Sequence, residues 1–148
     1  MKINSRLFAL PLPALVWFWS LSFLVAACLS VATAPAHAAT SPAEQMAGYA
    51  AQGGTAAQPA RGQAFFTTPH GKEWSCSSCH TTNPRVQGKH ASTGKVIAPM
   101  APAFNAERFT DAAKTEKWFR RNCNDVVGRE CTAAEKADVI AFLLSLKN

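Results

Sequence analysis

The chain has 148 residues, a net charge of +6, five cysteines and 48% apolar residues. Its fifteen basic residues are scattered, with no basic run and no interleaved aromatics, so the composition does not imply nucleic acid as a partner. Repeats, nucleotide-binding fingerprints and metal-binding loops are absent from the sequence, and the length suits one domain behind a targeting segment.

Lys2 and Arg6 form a basic start, residues 7–27 carry no charge, and Ala36-His37-Ala38 fits the pattern read by signal peptidase. Residues 1–38 therefore read as a signal peptide cut after Ala38, which removes 38 of the 148 residues and leaves 110. Loss of Lys2 and Arg6 lowers the net charge to +4. Two alternatives stand beside soluble export. Val25-Ala26-Ala27-Cys28 resembles a lipobox that would lipidate Cys28, and the apolar run could anchor the chain if it stayed uncut. All three readings put the domain outside the cytoplasm, in the periplasm, and only the last two attach it to a membrane.

Residues 39–60 are rich in Ala, Gly, Gln and Pro and read as an N-terminal extension with one short helix. Ser41 is its N-cap, Pro42 suits the first turn and Glu44 completes a capping box. The helix is expected to reach about Tyr49 and to end at Gly53-Gly54. Residues 61–148 read as the main domain. Its first helix runs from Arg61 to Thr68, with Gly62 allowing close approach of another helix and Phe65 and Phe66 packing inward. Pro69-His70-Gly71 breaks it.

Then comes Cys76-Ser77-Ser78-Cys79-His80. Two thiols spaced by two residues and followed at once by histidine are what covalent haem attachment needs. Each sulfur of Cys76 and Cys79 adds to a vinyl group, and His80 becomes the proximal iron ligand. A redox dithiol needs no histidine there, and a zinc site needs a second ligand pair, which the sequence lacks. Trp74 can cover a porphyrin edge or serve as an ordinary rim aromatic.

From His80 to Pro102 the chain is polar and punctuated by Gly and Pro, which predicts loop. Thr110 is expected to cap a helix from Asp111 to about Arg121, followed by a compact loop over Asn122 to Glu130. Thr132-Ala133-Ala134-Glu135 is a second capping box and opens the closing helix. On it Ala137, Ile140, Leu143 and Leu144 form a stripe flanked by Phe142 and Leu146, expected to pack on Gly62, Phe65, Phe66 and the haem. The fold class is all-α, with one haem supplying an apolar centre for a small core. Cys123 and Cys131 are left over as an even pair, which in an oxidising compartment suggests a disulfide.

Function turns on the second axial ligand. Met100 is the only methionine beyond the haem motif and lies 20 residues after His80, within reach of the iron but ahead of the Thr110 helix, where such a ligand would be early. His70 and His90 lie in polar, glycine-containing loops. Asn122 stands 42 residues after His80, in the expected place of a methionine, and abuts Cys123. Spacing alone does not separate a ligand there from a helix cap. Asn124, two residues on, is a further candidate.

A broader resemblance bears on the choice. Arg121-Asn122-Cys123-Asn124 with Gly128-Arg129-Glu130-Cys131-Thr132 resembles the sphaeroides haem protein (SHP) family of high-spin cytochromes c. The likeness extends through Ser41-Pro42-Ala43, Ala47-Gly48-Tyr49, Thr93-Gly94-Lys95, Ile97-Ala98-Pro99, Arg108-Phe109-Thr110-Asp111 and Glu116-Lys117-Trp118 to Glu135-Lys136-Ala137-Asp138. It implies a class I cytochrome c fold, Asn122 as distal ligand and a disulfide between Cys123 and Cys131. It further implies binding of O2, NO and similar small ligands by the reduced iron, with electrons from a dihaem cytochrome c. Met100 departs from the family pattern, which has an aliphatic residue there. An amide oxygen is a hard, weak-field donor, suited to Fe(III) and poor for Fe(II), so reduction should loosen Asn122 and open a coordination site. The alternative is an ordinary electron carrier with His80 and Met100 on the iron. The sequence shows no distal acid–base group, so no defined enzymatic turnover is assigned.

Overall fold

Caps and glycines set the helix limits. In the computed structural model, which describes residues 39–71 and 73–147, Ser41 accepts from the Glu44 N–H and the Glu44 carboxylate accepts from the Ser41 N–H, as a capping box requires. Helix α1, Pro42–Gly53, continues past the expected end near Tyr49 and stops where Gly54 turns left-handed. Helix α2 is Pro59–Thr67, and α3 is a single turn, Ser77–His80. Helix α4, Ala112–Val127, and helix α5, Ala133–Ser145, close the fold. The signal segment, Cys28 and the cut after Ala38 lie outside the described residues.

Three expectations are corrected. Asp111, not Thr110, caps α4, its carboxylate accepting from the Lys114 N–H at 2.9 Å. More consequentially, α4 does not stop at Arg121. No Gly or Pro interrupts the chain between Ala112 and Val127, and the first residue able to end the helix cheaply is Gly128, at φ 79°. Asn122 is therefore inside a helix rather than at its end. The 81–102 loop also holds a minimal antiparallel hairpin, β1 (Gly88–Lys89) on β2 (Val96–Ile97), and a 3-10 turn at Pro102–Phe104.

Helix α5 is the axis of the domain. Residues 136–143 are all buried, so the helix is enclosed on every side and not merely along the expected stripe, from which Leu144 is only half-buried. Gly62 of α2 meets the Asp138–Val139 backbone so closely that no side chain fits between them. Beside that contact the buried Asp138 carboxylate accepts from Arg61 Nε (2.7 Å), Arg61 Nη2 (2.9 Å) and the Gln58 N–H (2.6 Å). Phe66 packs on Phe142, ring centroids 5.6 Å apart, and with Val139 and Leu143 they make the core. Cys76, Met100, Phe109 and Phe119 line its edge. Helix α1 lies along α5 from the other side, with Gly53 against Ala134.

Helix α4 is held differently. It makes no comparable backbone approach to another helix among the described residues. Its ties are side chains. Glu116 accepts from Lys136 Nζ (2.7 and 2.8 Å) and from the Tyr49 hydroxyl (2.8 Å). Phe119 meets the Tyr49 ring edge-on at 5.9 Å and stacks on Phe109 at 6.4 Å. Cys123 is bonded to Cys131 just before α5.

Candidate haem site and iron ligands

The haem motif is shaped by small residues. The Ser75 N–H donates to Ser78 Oγ at 3.0 Å, and the Ser75 hydroxyl lies 2.7 Å from that of Ser77. These bonds wind Cys76–His80 into one tight turn, so that the two thiols and the imidazole share a short stretch of backbone. Gly88 lets β1 lie directly on the Cys79 and His80 backbone, where any larger residue would collide. The Ala91 N–H points at Cys79 Sγ from 3.4 Å. Directly after His80, Thr81 adopts φ 63°, a left-handed conformation costing about 1–3 kcal/mol for a branched residue. Its hydroxyl donates to the Asn83 carbonyl at 2.7 Å and accepts from the Asn83 N–H at 3.1 Å, which holds it there.

The electrostatics suit ligation rather than thiol redox work. Burial pushes the Cys76 thiol up to about 11, opposite to the lowered value a reactive dithiol needs. His80 is pushed down to about 4, first by burial and then by the positive Arg108, which keeps its imidazole in the neutral form that coordinates a metal. Its Nδ1 is buried and has no partner among the described residues. Arg108 is fixed by donating Nε to the Pro99 carbonyl (2.8 Å) and Nη2 to the Ala98 carbonyl (2.7 Å). Two free thiols, a neutral imidazole and the apolar edge beside Cys76 fit a covalently held haem. Among the described residues no three His, Cys, Asp or Glu side chains converge, so a zinc site lacks its donors.

The distal candidates fall in different settings. The Met100 N–H donates to the Pro84 carbonyl at 2.9 Å, four residues beyond His80, and its side chain packs on the core. His70 bonds the Phe65 carbonyl through Nε2 at 2.7 Å, and His90 Nδ1 accepts from the Thr93 N–H at 3.2 Å. Asn124 is exposed and donates to the Arg120 carbonyl of its own helix. Asn122 is half-buried, in the middle of α4, beside the buried Cys123. The Cys123–Cys131 bridge spans 5.6 Å between Cα atoms. Trp74 is 42% exposed, its backbone paired with that of His70.

Known proteins of similar sequence and structure are c-type cytochromes. A family model described as a domain of unknown function, DUF1924, matches residues 52–143. The cytochrome c-type protein SHP of Cereibacter sphaeroides is 49% identical over 108 residues, covering 70% of this chain and 83% of that protein. The chain belongs to the SHP family of c-type cytochromes. It carries one covalently bound haem c. The structure of oxidised SHP, an oxygen-binding cytochrome c, matches with TM-score 0.69 and 45% identity, over 73% of this chain and 99% of that one. The solution structure of Methylophilus methylotrophus cytochrome c'', a protein studied for haem-ligand detachment, matches with TM-score 0.64 and 38% identity, over 72% and 94%. The helical class I cytochrome c fold expected from the sequence is the fold of this SHP-family chain.

Some residues of the site had no legible signal. The roles of Gly88 and Arg108 depend on partners eight or more residues away, and a left-handed threonine after the haem histidine leaves no mark on composition.

Proposed function

We propose that the chain is an exported monohaem cytochrome c in which Asn122 is a redox-labile distal ligand opposite His80. Cys76 and Cys79 hold the porphyrin through thioether bonds, and His80 is the permanent axial ligand. When bound, the haem supplies a one-electron iron couple and an affinity for small neutral ligands in the reduced state. The single observation that carries the reading is the contrast between Asn122 and Met100. Asn122 is half-buried on a helix held by side-chain ties and a disulfide, whereas the Met100 backbone is fixed to Pro84, four residues along the chain from His80.

An amide oxygen is a good donor to ferric iron and a weak one to ferrous iron, so Asn122 would let go on reduction and leave room for O2, NO or CO. The relatives named for oxygen binding and for haem-ligand detachment support the same behaviour here. We further assign the periplasm as compartment, with the mature chain beginning near residue 39, its cytochrome c domain spanning 61–148, and a dihaem cytochrome c as electron donor.

Reduced protein mixed with CO decides the matter. The wild type should bind CO readily without denaturant. Asn122→Met should suppress CO uptake and raise the midpoint potential, because thioether sulfur favours Fe(II). A ferric sulfur–iron charge-transfer band in the wild type, with no CO uptake on reduction, would instead assign Met100.

A further inference from the structure

The side-chain ties of α4 are not equivalent, and one of them is strained. Phe109 lies just ahead of α4 with φ 59°, a conformation rarely adopted by a bulky residue. Its carbonyl accepts from Gln45 Nε2 at 2.7 Å. Gln45, 8% exposed, is the buried residue of α1, yet its Oε1 has no partner among the described residues. The Thr40 N–H donates to the Thr110 carbonyl at 3.0 Å and ties the same turn to the N-terminal segment a second time. One contact thus combines backbone strain with an unsatisfied buried oxygen. Either feature is unfavourable in an ordinary core, and such outliers persist where the surroundings over-determine a functional geometry.

The contact holds a ring. Phe109 packs on the core and stacks on Phe119 at 6.4 Å with 25° between planes. Phe119 lies three residues, one helical turn, ahead of Asn122. Since α4 lacks a close backbone contact with another helix among the described residues, anchors of this kind decide where its inner face sits. The disulfide fixes the other flank at Cys123.

We propose that Gln45 and Phe109 are positioning residues for the distal ligand: Gln45 holds Phe109 in its left-handed turn, the ring holds Phe119, and this clamp sets how firmly Asn122 stays on the ferric iron. The proposal rests on the assignment of Asn122 as ligand. It gives α1 a part in ligand exchange that packing along α5 does not require.

The test uses the holoprotein and azide as a competitor for the ferric iron. Gln45→Leu removes the amide and its orphan oxygen together, so the fold is expected to survive. Phe109→Leu keeps apolar bulk and removes the stack, as a second route to the same loosening. Each should raise ferric azide affinity about tenfold, with a rise in midpoint potential of about 59 mV for a one-electron couple. On an Asn122→Ala background, which has no ligand left to position, Gln45→Leu should add nothing. If Asn122→Ala raises azide affinity while Gln45→Leu and Phe109→Leu alter only the melting temperature, the clamp is wrong and the ligand assignment stands. If Asn122→Ala itself leaves azide affinity unchanged, the assignment fails and the clamp with it.

Discussion

Along α2 and α5 two backbones touch, with Gly62 on the Asp138 carbonyl and a buried carboxylate holding Arg61 and Gln58 beside it. Among the described residues, helix α4 touches the rest through an ion pair, a tyrosine hydroxyl bond, aromatic contacts and a disulfide, all made by side chains. A backbone contact has one geometry and fails as a whole. Side chains can change rotamer or partner and let a helix shift while the core stays packed. On the proposal that Asn122 is a labile ligand, the helix that releases it is the one joined in the adjustable way.

The largest effect expected from breaking this contrast is at the rigid crossing. Gly62→Val drives a side chain into the Asp138–Val139 backbone and should cost about 3 kcal/mol or more, read by chemical denaturation as loss of the whole domain. A normal melt in that variant would mean that the crossing can open and that the contrast is mistaken.

Removing the disulfide with Cys123→Ser and Cys131→Ser together should cost less. The bridge closes a short loop, eight residues apart in sequence, worth about 2–3 kcal/mol in the chain-entropy model. Here the informative readout is the ferric optical spectrum, which should move toward a five-coordinate or water-bound form while helix content is kept. Lost stability with an unchanged spectrum would place Asn122 outside the bridge's control.

The smallest effect is acid loosening. Burial tends to raise the Glu116 carboxyl, but its bonds from Lys136 and Tyr49 prevail and hold it below its ordinary 4.5. Glu135 is lowered as well, chiefly by Arg129. With depressed folded-state values, both carboxylates contribute stability above about pH 4.5 that is lost as pH falls through the lower folded value. Glu116 is half-exposed, so screening keeps its share under about 1 kcal/mol. Hydrogen-exchange protection, corrected for the intrinsic rate at each pH, should therefore fall in α4 before α2 and the middle of α5 between pH 5 and pH 3. Simultaneous loss everywhere would contradict the separate anchoring of α4.

Several features were legible because they are local. Both capping boxes, Ser41 with Glu44 and Thr132 with Glu135, join residues three apart. Gly62 and Phe66 announced a helix contact, and α5 supplied the other side. The end of α4 was misjudged because Arg120 and Arg121 look like a helix C-terminus, while the decisive stop, Gly128, comes seven residues later. Enclosure of α5 on all sides was equally hidden. A stripe of spacing shows one apolar face, whereas the small Ala137 and Ala141 and the paired Lys136 and Asp138 are buried by neighbours that arrive from α1, α2 and α4.

By itself the sequence determined the covalent chemistry, since two thiols and an imidazole within five consecutive residues can meet one porphyrin whatever the rest of the chain does. It also determined where α1 and α5 begin, because a cap acts within one turn. Packing across the fold set the remainder: Asn122 lies inside a helix, Met100 is tied back to Pro84, and a glutamine from α1 braces a strained phenylalanine ahead of α4. Those outcomes depend on groups brought together from up to 64 residues apart, and no local pattern encodes which of them will meet.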